Sequence, residues 1–231
     1  MALETQAYKA DNDSKQYPFF LQLSAVQVQS ILINSSIGTF GSREIIFHQN
    51  SRTAHIMFVK SGLVKVYKPT RSGRSILLKI VPGGNFLGLT TVLTDEVYRY
   101  SAAAVDNTEI LFIENHIFKE ILRENYNFTL NIIKLISEEA LYTFERLQQQ
   151  THKQLPGRIA DVLLYFCEEI YKKETFTLPL TRRELAEFAG TTKESFIRTL
   201  TEFKHDKIIE LDGSRVTIKS MKIVKTLSNI G

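Results

Sequence analysis

The segment LTRRELAEFAGTTKESFIRTLTEFK contains two helix-start signals on either side of one glycine. Thr181 with Glu184, and Thr191 with Glu194, have the Thr-x-x-Glu spacing of a capping box, in which the threonine caps the helix and the glutamate reaches back to it. Gly190 lies between the two boxes and can adopt the left-handed conformation that a short, angled connection needs. The pattern predicts two helices that pack against each other across a tight turn.

A hairpin is predicted directly after the second helix. The segment KIIELDGSRVTIKS contains two short strand-like runs around Asp212–Gly213, which is a strong hairpin signal. A helix pair with glycine in its turn, followed by a hairpin, is typical of the winged helix–turn–helix, whose second helix enters the major groove of DNA. Residues 153–231 also hold 14 Lys and Arg against 11 Asp and Glu, so most of the net charge of +4 lies here.

The residue types in this segment fit contacts with DNA. Arg198 can pair with guanine O6 and N7, and Glu194 can accept from a cytosine amino group, although Glu194 could also serve only as a cap. The two arginines that open the first helix suit phosphate contacts but could equally be solvated, and the wing could add a backbone contact. The predicted DNA-binding residues are Arg182, Arg183, Thr192, Lys193, Glu194, Ser195, Arg198 and Arg215.

The N-terminal half has a strand-like pattern. Between about residues 37 and 114, short runs rich in β-branched and aromatic residues alternate with turn signals such as Ser61–Gly62, Ser72–Gly73 and Pro82–Gly83. Short strands at regular spacing with glycine between them predict an antiparallel sandwich or barrel-like roll.

A helical pattern follows from about residue 116. In NFTLNIIKLISEEALYTFERLQQQ, apolar residues recur at steps of three and four and form one stripe along several turns. This helix could pair with a second copy of itself or cover its own β domain. Pro156 and Gly157 interrupt the pattern and mark the domain boundary. The stripe consists of Ile133, Ile136, Ala140, Phe144 and Leu147.

Composition narrows the class of protein. The single cysteine, Cys167, cannot form an internal disulfide or a thiolate cluster, and its apolar helical surroundings predict a buried, inert thiol. The five histidines show no metal-site spacing, so no metal is predicted. No apolar run reaches the ~18–20 residues of a membrane-spanning helix, and the common catalytic signatures are missing. We therefore expect a cytoplasmic protein that is not an enzyme and does not bind membranes.

In their order along the chain, these segments resemble the cyclic-AMP receptor protein/fumarate–nitrate regulator (Crp/Fnr) family of bacterial transcription factors. HIMFVKSGLVKVYKPTRSGRSILLKIVPGGNFLG is similar to the family's β-roll, and LISEEALYTFERLQQQ is similar to its central dimer helix. LPGRIADVLLYF and the helix pair with its hairpin are similar to the family's DNA-binding domain. The resemblance implies an α+β fold: an N-terminal antiparallel β-roll (a double-stranded β-helix of the cyclic-nucleotide-binding type), a long central dimerisation helix and a C-terminal winged helix–turn–helix.

The resemblance also implies a division of the chain. We expect a flexible leader at 1–17, a β-roll sensor domain at 18–115, a central dimerisation helix at 116–152 and a winged helix–turn–helix domain at 153–231. It implies a homodimer that binds a two-fold symmetric operator in double-stranded DNA, with the apolar stripe as the dimer interface. RNA polymerase is a candidate partner.

The family places base-reading residues at Lys193, Glu194 and Arg198. Many members have arginine where Lys193 stands, and the fumarate–nitrate branch has serine where Ile197 stands, so the half-site sequence does not carry over. The main alternative function is a signalling module whose C-terminal domain docks a protein instead of DNA.

The sensor end departs from the family pattern. Its cyclic-nucleotide binders carry Phe-Gly-Glu and then Arg-Ser or Arg-Thr, with the glutamate on the ribose hydroxyl and the arginine on the phosphate. Here Leu89 replaces the glutamate and Arg99 stands two positions before Ser101, so we expect no cyclic-AMP binding. Either another effector binds or the roll is filled by its own side chains; no cofactor is predicted. The candidate pocket residues are Gly88, Leu89, Thr90, Arg99, Tyr100 and Ser101.

Overall fold

The computed structural model describes residues 20–70 and 75–230 of the chain. The leader expected at 1–17 and the turn expected at Ser72–Gly73 lie outside the described residues. None of the helices within the described ranges is both long enough and apolar enough to cross a membrane.

The described residues form two compact units. The N-terminal unit comprises residues 20–66 and 80–141, and the C-terminal unit comprises residues 67–70, 75–79 and 142–230. The helix Tyr126–His152 therefore contributes residues to both units.

Two four-stranded sheets build the N-terminal roll. One sheet has the order β1-β8-β3-β6 and the other the order β2-β7-β4-β5, and the pairs β1–β8, β3–β8, β3–β6 and β2–β7 are antiparallel. The predicted antiparallel roll is confirmed. The strands are β1 (Ser35–Phe40), β2 (Ile45–Phe47), β3 (His55–Ser61), β4 (Leu63–Pro69), β5 (Ser75–Pro82), β6 (Asn85–Leu87), β7 (Ser101–Ala104) and β8 (Thr108–Glu114).

The central strand β3 separates two apolar clusters because its side chains point alternately to opposite faces. Ile56 and Phe58 belong to a cluster shared with the helices, whereas Met57 and Val59 belong to a second cluster with residues of both sheets. All four side chains are buried, so both faces of this strand lie in the core.

Four helices belong to the N-terminal half of the fold: α1 (Ala25–Ile33), α2 (Leu89–Val92), α3 (Asn115–Glu124) and α4 (Tyr126–His152). The segment 116–152 thus contains two helices and not the single helix expected. Asn125 separates them, because its backbone is extended and its Oδ1 accepts a hydrogen bond from the Phe128 amide at 3.0 Å. The break brings the Phe118 and Phe128 rings together, with centroids 5.9 Å apart.

The C-terminal unit contains four further helices and a small sheet. Its helices are α5 (Leu155–Leu164), α6 (Arg182–Phe188), α7 (Lys193–His205) and α8 (Met221–Ile230), and its strands are β9 (Thr175–Thr177), β10 (Ile209–Asp212) and β11 (Arg215–Ile218). The hairpin predicted at Asp212–Gly213 is confirmed as β10–β11. The segment TFTLPL supplies β9, which pairs with β11.

Cys167 lies in a π-helical segment, Tyr165–Ile170, that continues α5. The residue is buried, and burial raises the pKa of its thiol. A thiol with a raised pKa holds little thiolate at neutral pH, in agreement with the inert role predicted for it.

Candidate nucleic-acid interface

The first helix of the pair begins as the sequence predicts. Thr181 is the cap of α6: its Oγ1 accepts from the Glu184 amide at 3.3 Å, and a Glu184 carboxylate oxygen accepts from the Thr181 amide at 2.8 Å. Gly190, which follows α6, has a φ of +64°. A side chain is strained in this left-handed region, so glycine at this position permits the sharp turn into the second helix.

The second cap lies one residue later than the sequence indicates. The cap of α7 is Thr192, whose Oγ1 accepts from the Ser195 amide at 3.2 Å. Thr191 cannot serve, because its amide donates to the carbonyl of Ala186 at 2.9 Å and completes the C-terminal turn of α6. The predicted Thr191–Glu194 box is therefore wrong, and Glu194 is an exposed side chain in the first turn of α7.

The two helices pack through the apolar residues that the pattern assigns to their inner faces. The buried side chains are Leu185, Ala186 and Ala189 from the first helix and its C-terminal end, and Phe196 and Leu200 from α7. Packing of these residues leaves a polar outer face on the first two turns of α7. Lys193, Glu194 and Arg198 lie on that face and Ser195 is half-buried beside it. The Arg198 side chain is 70% exposed, and its Nε lies 4.0 Å from a Glu202 carboxylate oxygen.

The two arginines that open α6 have different surroundings. Arg182 is half-buried and its Nη2 donates to the carbonyl of Gly213, at the tip of the β10–β11 wing, and burial lowers its pKa. Arg183 is exposed, and its Nε donates to a Glu187 carboxylate oxygen at 3.3 Å. Arg215 is exposed opposite Asp212 in the wing. The Arg182 side chain is therefore held against the wing, whereas Arg183, although paired with Glu187, and Arg215 are exposed to solvent.

Helix α4 has a buried face and an exposed apolar face. Phe128 and Ile132 are buried in the helix-side cluster of the N-terminal unit, and Ile136 packs partly against the same cluster. The other four residues of the predicted stripe, Ile133, Ala140, Phe144 and Leu147, are exposed on the single chain, as are Leu130 and Leu141. Two uses were predicted for this helix. Its first turns cover its own β domain, and its exposed stripe remains available to a partner.

The candidate effector residues have different surroundings. Leu89 is buried in the helix-side cluster, Thr90 is exposed, and the Ser101 hydroxyl accepts from the Gln49 amide at 2.9 Å. Arg99 is exposed and forms an ion pair with Asp95, so it does not line the interior as expected. Gly88, with a φ of +91°, precedes α2.

The aromatic side chain of Tyr98 lies beside Gly88 and stacks on a second ring. The Tyr98 and Phe47 rings stack with centroids 3.6 Å apart, and the Tyr100 ring lies 5.8 Å from that of Phe47. A Cβ on Gly88 would lie 3.4 Å from Cε1 of Tyr98. Burial raises the pKa of Tyr98 to about 12 and raises that of Tyr100.

Sequence analysis missed Tyr98 and Phe47, although the signal was present. In VYRYSAA the aromatic residues alternate with Arg99 at a period of two, which predicts Tyr98 and Tyr100 on one side of an extended segment and Arg99 on the other. Tyr98 is buried, Tyr100 is half-buried and Arg99 between them is exposed, in agreement with this alternation.

Comparison with known families identifies two regions of the chain. Residues 38–125 match the cyclic nucleotide-binding domain, and residues 157–225 match the Crp-like helix–turn–helix domain. The second match covers the helix pair, its glycine turn and the β10–β11 wing.

Curated relatives match along most of their length. The global nitrogen regulator of a Nostoc species is 22% identical over 79% of this chain and 84% of its own. The CRP-like cAMP-activated global transcriptional regulator of Mycobacterium tuberculosis is 21% identical over 75% of this chain and 79% of its own.

Solved structures share the fold. FixK2 from Bradyrhizobium japonicum has a TM-score of 0.77 at 18% identity, and covers 84% of this chain and 96% of its own. A CRP/FNR-family transcriptional regulator from Thermus thermophilus has a TM-score of 0.69 at 19% identity, and covers 84% of this chain and 98% of its own. With a cyclic nucleotide-binding domain and a Crp-like helix–turn–helix in this order, the chain belongs to the Crp/Fnr family of transcription regulators.

Proposed function

We propose that this DNA-binding transcription regulator acts as a homodimer on a two-fold symmetric site in double-stranded DNA. The observation that carries the proposal is the first two turns of α7, where Lys193, Glu194 and Arg198 are exposed while Phe196 and Leu200 are buried in the domain. A recognition helix needs this arrangement, because its buried side must hold it on the domain while its first turns reach base edges.

The proposed contacts divide into base reading and backbone positioning. Arg198 has five donors in a planar fork that matches O6 and N7 of guanine, and Glu194, which is not needed as a cap, can accept from a cytosine amino group. Arg183 and Arg215 would contact phosphates, which set the register of the domain on the duplex. Arg182 would act indirectly, because its bond to Gly213 holds the wing against α6.

The exposed stripe of α4 supports the dimer. A stripe of exposed apolar side chains along several helical turns is unfavourable in water, and a second copy of the same helix would bury it. Two-fold symmetry would then present two α7 helices to successive turns of the major groove on one side of the duplex. A regulator of this kind would work in the cytoplasm, with RNA polymerase as a partner at promoters.

The packing of the roll supports regulation without cyclic AMP. Leu89 offers no acceptor to a ribose hydroxyl, Arg99 points away from the interior, and Tyr98 occupies the space beside Gly88. A different effector would have to displace the stacked pair Tyr98 and Phe47 or bind elsewhere. We infer that a filled roll accounts for the sensor domain better than a cyclic-nucleotide site.

The experiment that tests the function is selection of bound duplexes from a random pool, followed by binding of Arg198→Ala to the selected site. We expect a two-fold symmetric consensus, and a loss of about 1–3 kcal/mol in the variant with relaxed choice at one base pair per half-site. Lys222 is an exposed cation of α8, so Lys222→Ala is the control and should bind the selected duplex as tightly as wild type.

Two results would contradict the proposal. Full specific affinity of Arg198→Ala would remove that residue from base reading. Failure to retard even random duplex at low salt would indicate instead that the C-terminal domain docks a protein, since non-specific DNA binding is mainly electrostatic and strongest at low salt.

A further inference from the structure

The outer face of α7 contains one large apolar side chain. Ile197 is 40% exposed, whereas Phe196, Leu200 and Phe203 of the same helix are buried. Lys193 lies one turn before Ile197 and Thr201 one turn after it, and both are exposed. Ile197 therefore lies among the polar residues of the proposed reading face and is not part of the core stripe.

An isoleucine is a poor choice for a position that only faces water. It is β-branched, so its χ1 freedom is restricted in a helix and its helix propensity is lower than that of lysine, glutamate or alanine. Its exposed methyl groups also remain hydrated in the free protein. A surface that becomes buried on binding would recover this cost.

The major groove presents one apolar group to a side chain at this position, the C5-methyl group of thymine. We infer that Ile197 contacts a thymine methyl group in each half-site and so determines a preference for a T·A pair there. Ile197 follows Glu194 by three residues, so the two are neighbours on the helix and this pair should adjoin the one read by Glu194. The inference rests on the proposed function, because it requires α7 to lie in the major groove.

Replacement of thymine by deoxyuridine tests the contact directly, because it removes the methyl group and leaves base pairing unchanged. Each thymine of the selected duplex is replaced in turn, in one half-site and then in both. We expect one position at which wild type binds about fourfold more weakly per substituted half-site, the value for one buried methyl-sized group. For Ile197→Ala the same substitution should have little effect.

The ratio of thymine to uracil affinity also separates contact from folding. If Ile197→Ala only weakened the domain, affinity for both duplexes would fall by the same factor and the ratio would stay at the wild-type value, which would overturn the inference. Ile223→Ala on α8 is the matched control: Ile223 is 43% exposed, and its variant should keep the wild-type uracil sensitivity at every position.

The remaining outcomes distinguish the inference from the function on which it rests. A symmetric consensus whose thymines can all be replaced without loss would overturn the role of Ile197 and leave the regulator intact. A pool that yields no common sequence would overturn both.

Discussion

Arg182 and Arg183 are adjacent in sequence, but their side chains lie in different surroundings. The Arg182 guanidinium is half-buried and bonded to the wing at Gly213, whereas the Arg183 side chain is exposed beside Glu187. The two arginines therefore differ in what the structure supports: Arg182 holds the wing, and Arg183 is exposed and is the one proposed to contact phosphate.

We predict that Arg182→Ala and Arg183→Ala differ from wild type in different measurements. Arg182→Ala should lower the free energy of unfolding by about 1–2 kcal/mol, because it removes a charge-assisted hydrogen bond that holds the wing. Arg183→Ala should leave stability within about 0.5 kcal/mol, since an exposed ion pair contributes little. In Arg183→Ala, the magnitude of the slope of log affinity against log salt concentration should instead decrease by about one unit.

Urea unfolding and salt titration of random duplex binding provide these measurements, and each variant is the control for the other. An Arg183→Ala protein with the wild-type salt slope would remove Arg183 from the phosphate contacts. An Arg182→Ala protein as stable as wild type would show that its bond to the wing carries no net free energy.

The stacked Tyr98 predicts a pH dependence of stability. Its pKa is raised by burial from 10.0 to about 12, so the unfolded chain ionises before the folded one. The protonated Tyr98 hydroxyl therefore contributes its full stabilising free energy below pH 10, and this contribution is lost as the pH rises towards 12. At about 1.4 kcal/mol per pKa unit, the loss approaches 2–3 kcal/mol.

Tyr98→Phe provides the comparison, because phenylalanine keeps the ring and removes the ionising group. Urea unfolding between pH 9 and about pH 11.5 should show stability falling more steeply in wild type than in the variant. Parallel curves would mean that the Tyr98 hydroxyl titrates like an exposed phenol.

At the scale of elements, α4 performs two tasks with different faces. Phe128 and Ile132 anchor its first turns in the N-terminal core, and the Arg146 guanidinium donates to the carbonyl of Phe188 at 2.7 Å near its other end. The exposed stripe lies between and beside these anchors. Because the anchors do not use the stripe, a change on the stripe should alter assembly without unfolding the chain.

Phe144→Glu tests the stripe. The Phe144 side chain is 68% exposed on the single chain, so glutamate is tolerated there, but a carboxylate buried in a dimer interface is strongly unfavourable. We expect a monomer by sedimentation velocity and a loss of about 10²–10⁴-fold in affinity for the symmetric duplex, since the second half-site no longer binds within one molecule.

Val26→Glu is the matched control, because Val26 is an exposed apolar residue on α1, away from the stripe. This variant should sediment and bind as wild type. A dimeric Phe144→Glu protein with full affinity would place the interface elsewhere.

For the whole molecule, the expected response to cyclic AMP is none. A ligand shifts a conformational equilibrium only through a difference in its affinity for the two states. The filled roll proposed above, with Tyr98 stacked on Phe47, would offer cyclic AMP no site in either state. Added cyclic AMP should change neither the unfolding temperature nor the affinity for the selected duplex. The Mycobacterium tuberculosis relative, named as cAMP-activated, is the positive control, and a comparable response here would contradict the filled roll.

The sequence alone predicted the order and type of most elements. Capping residues, Gly190, the Asp212–Gly213 turn and apolar periodicity act within a few residues of where they stand, so they can be interpreted without knowledge of the rest of the chain.

Only the tertiary structure decided features that depend on distant partners. Arg182 reaches Gly213 in the wing, and Tyr98 stacks on Phe47 of β2. Each of these contacts joins residues whose separation in sequence says nothing about their distance in space. Local propensity therefore determined what the elements are, and packing between them determined which side chains remain exposed to bind.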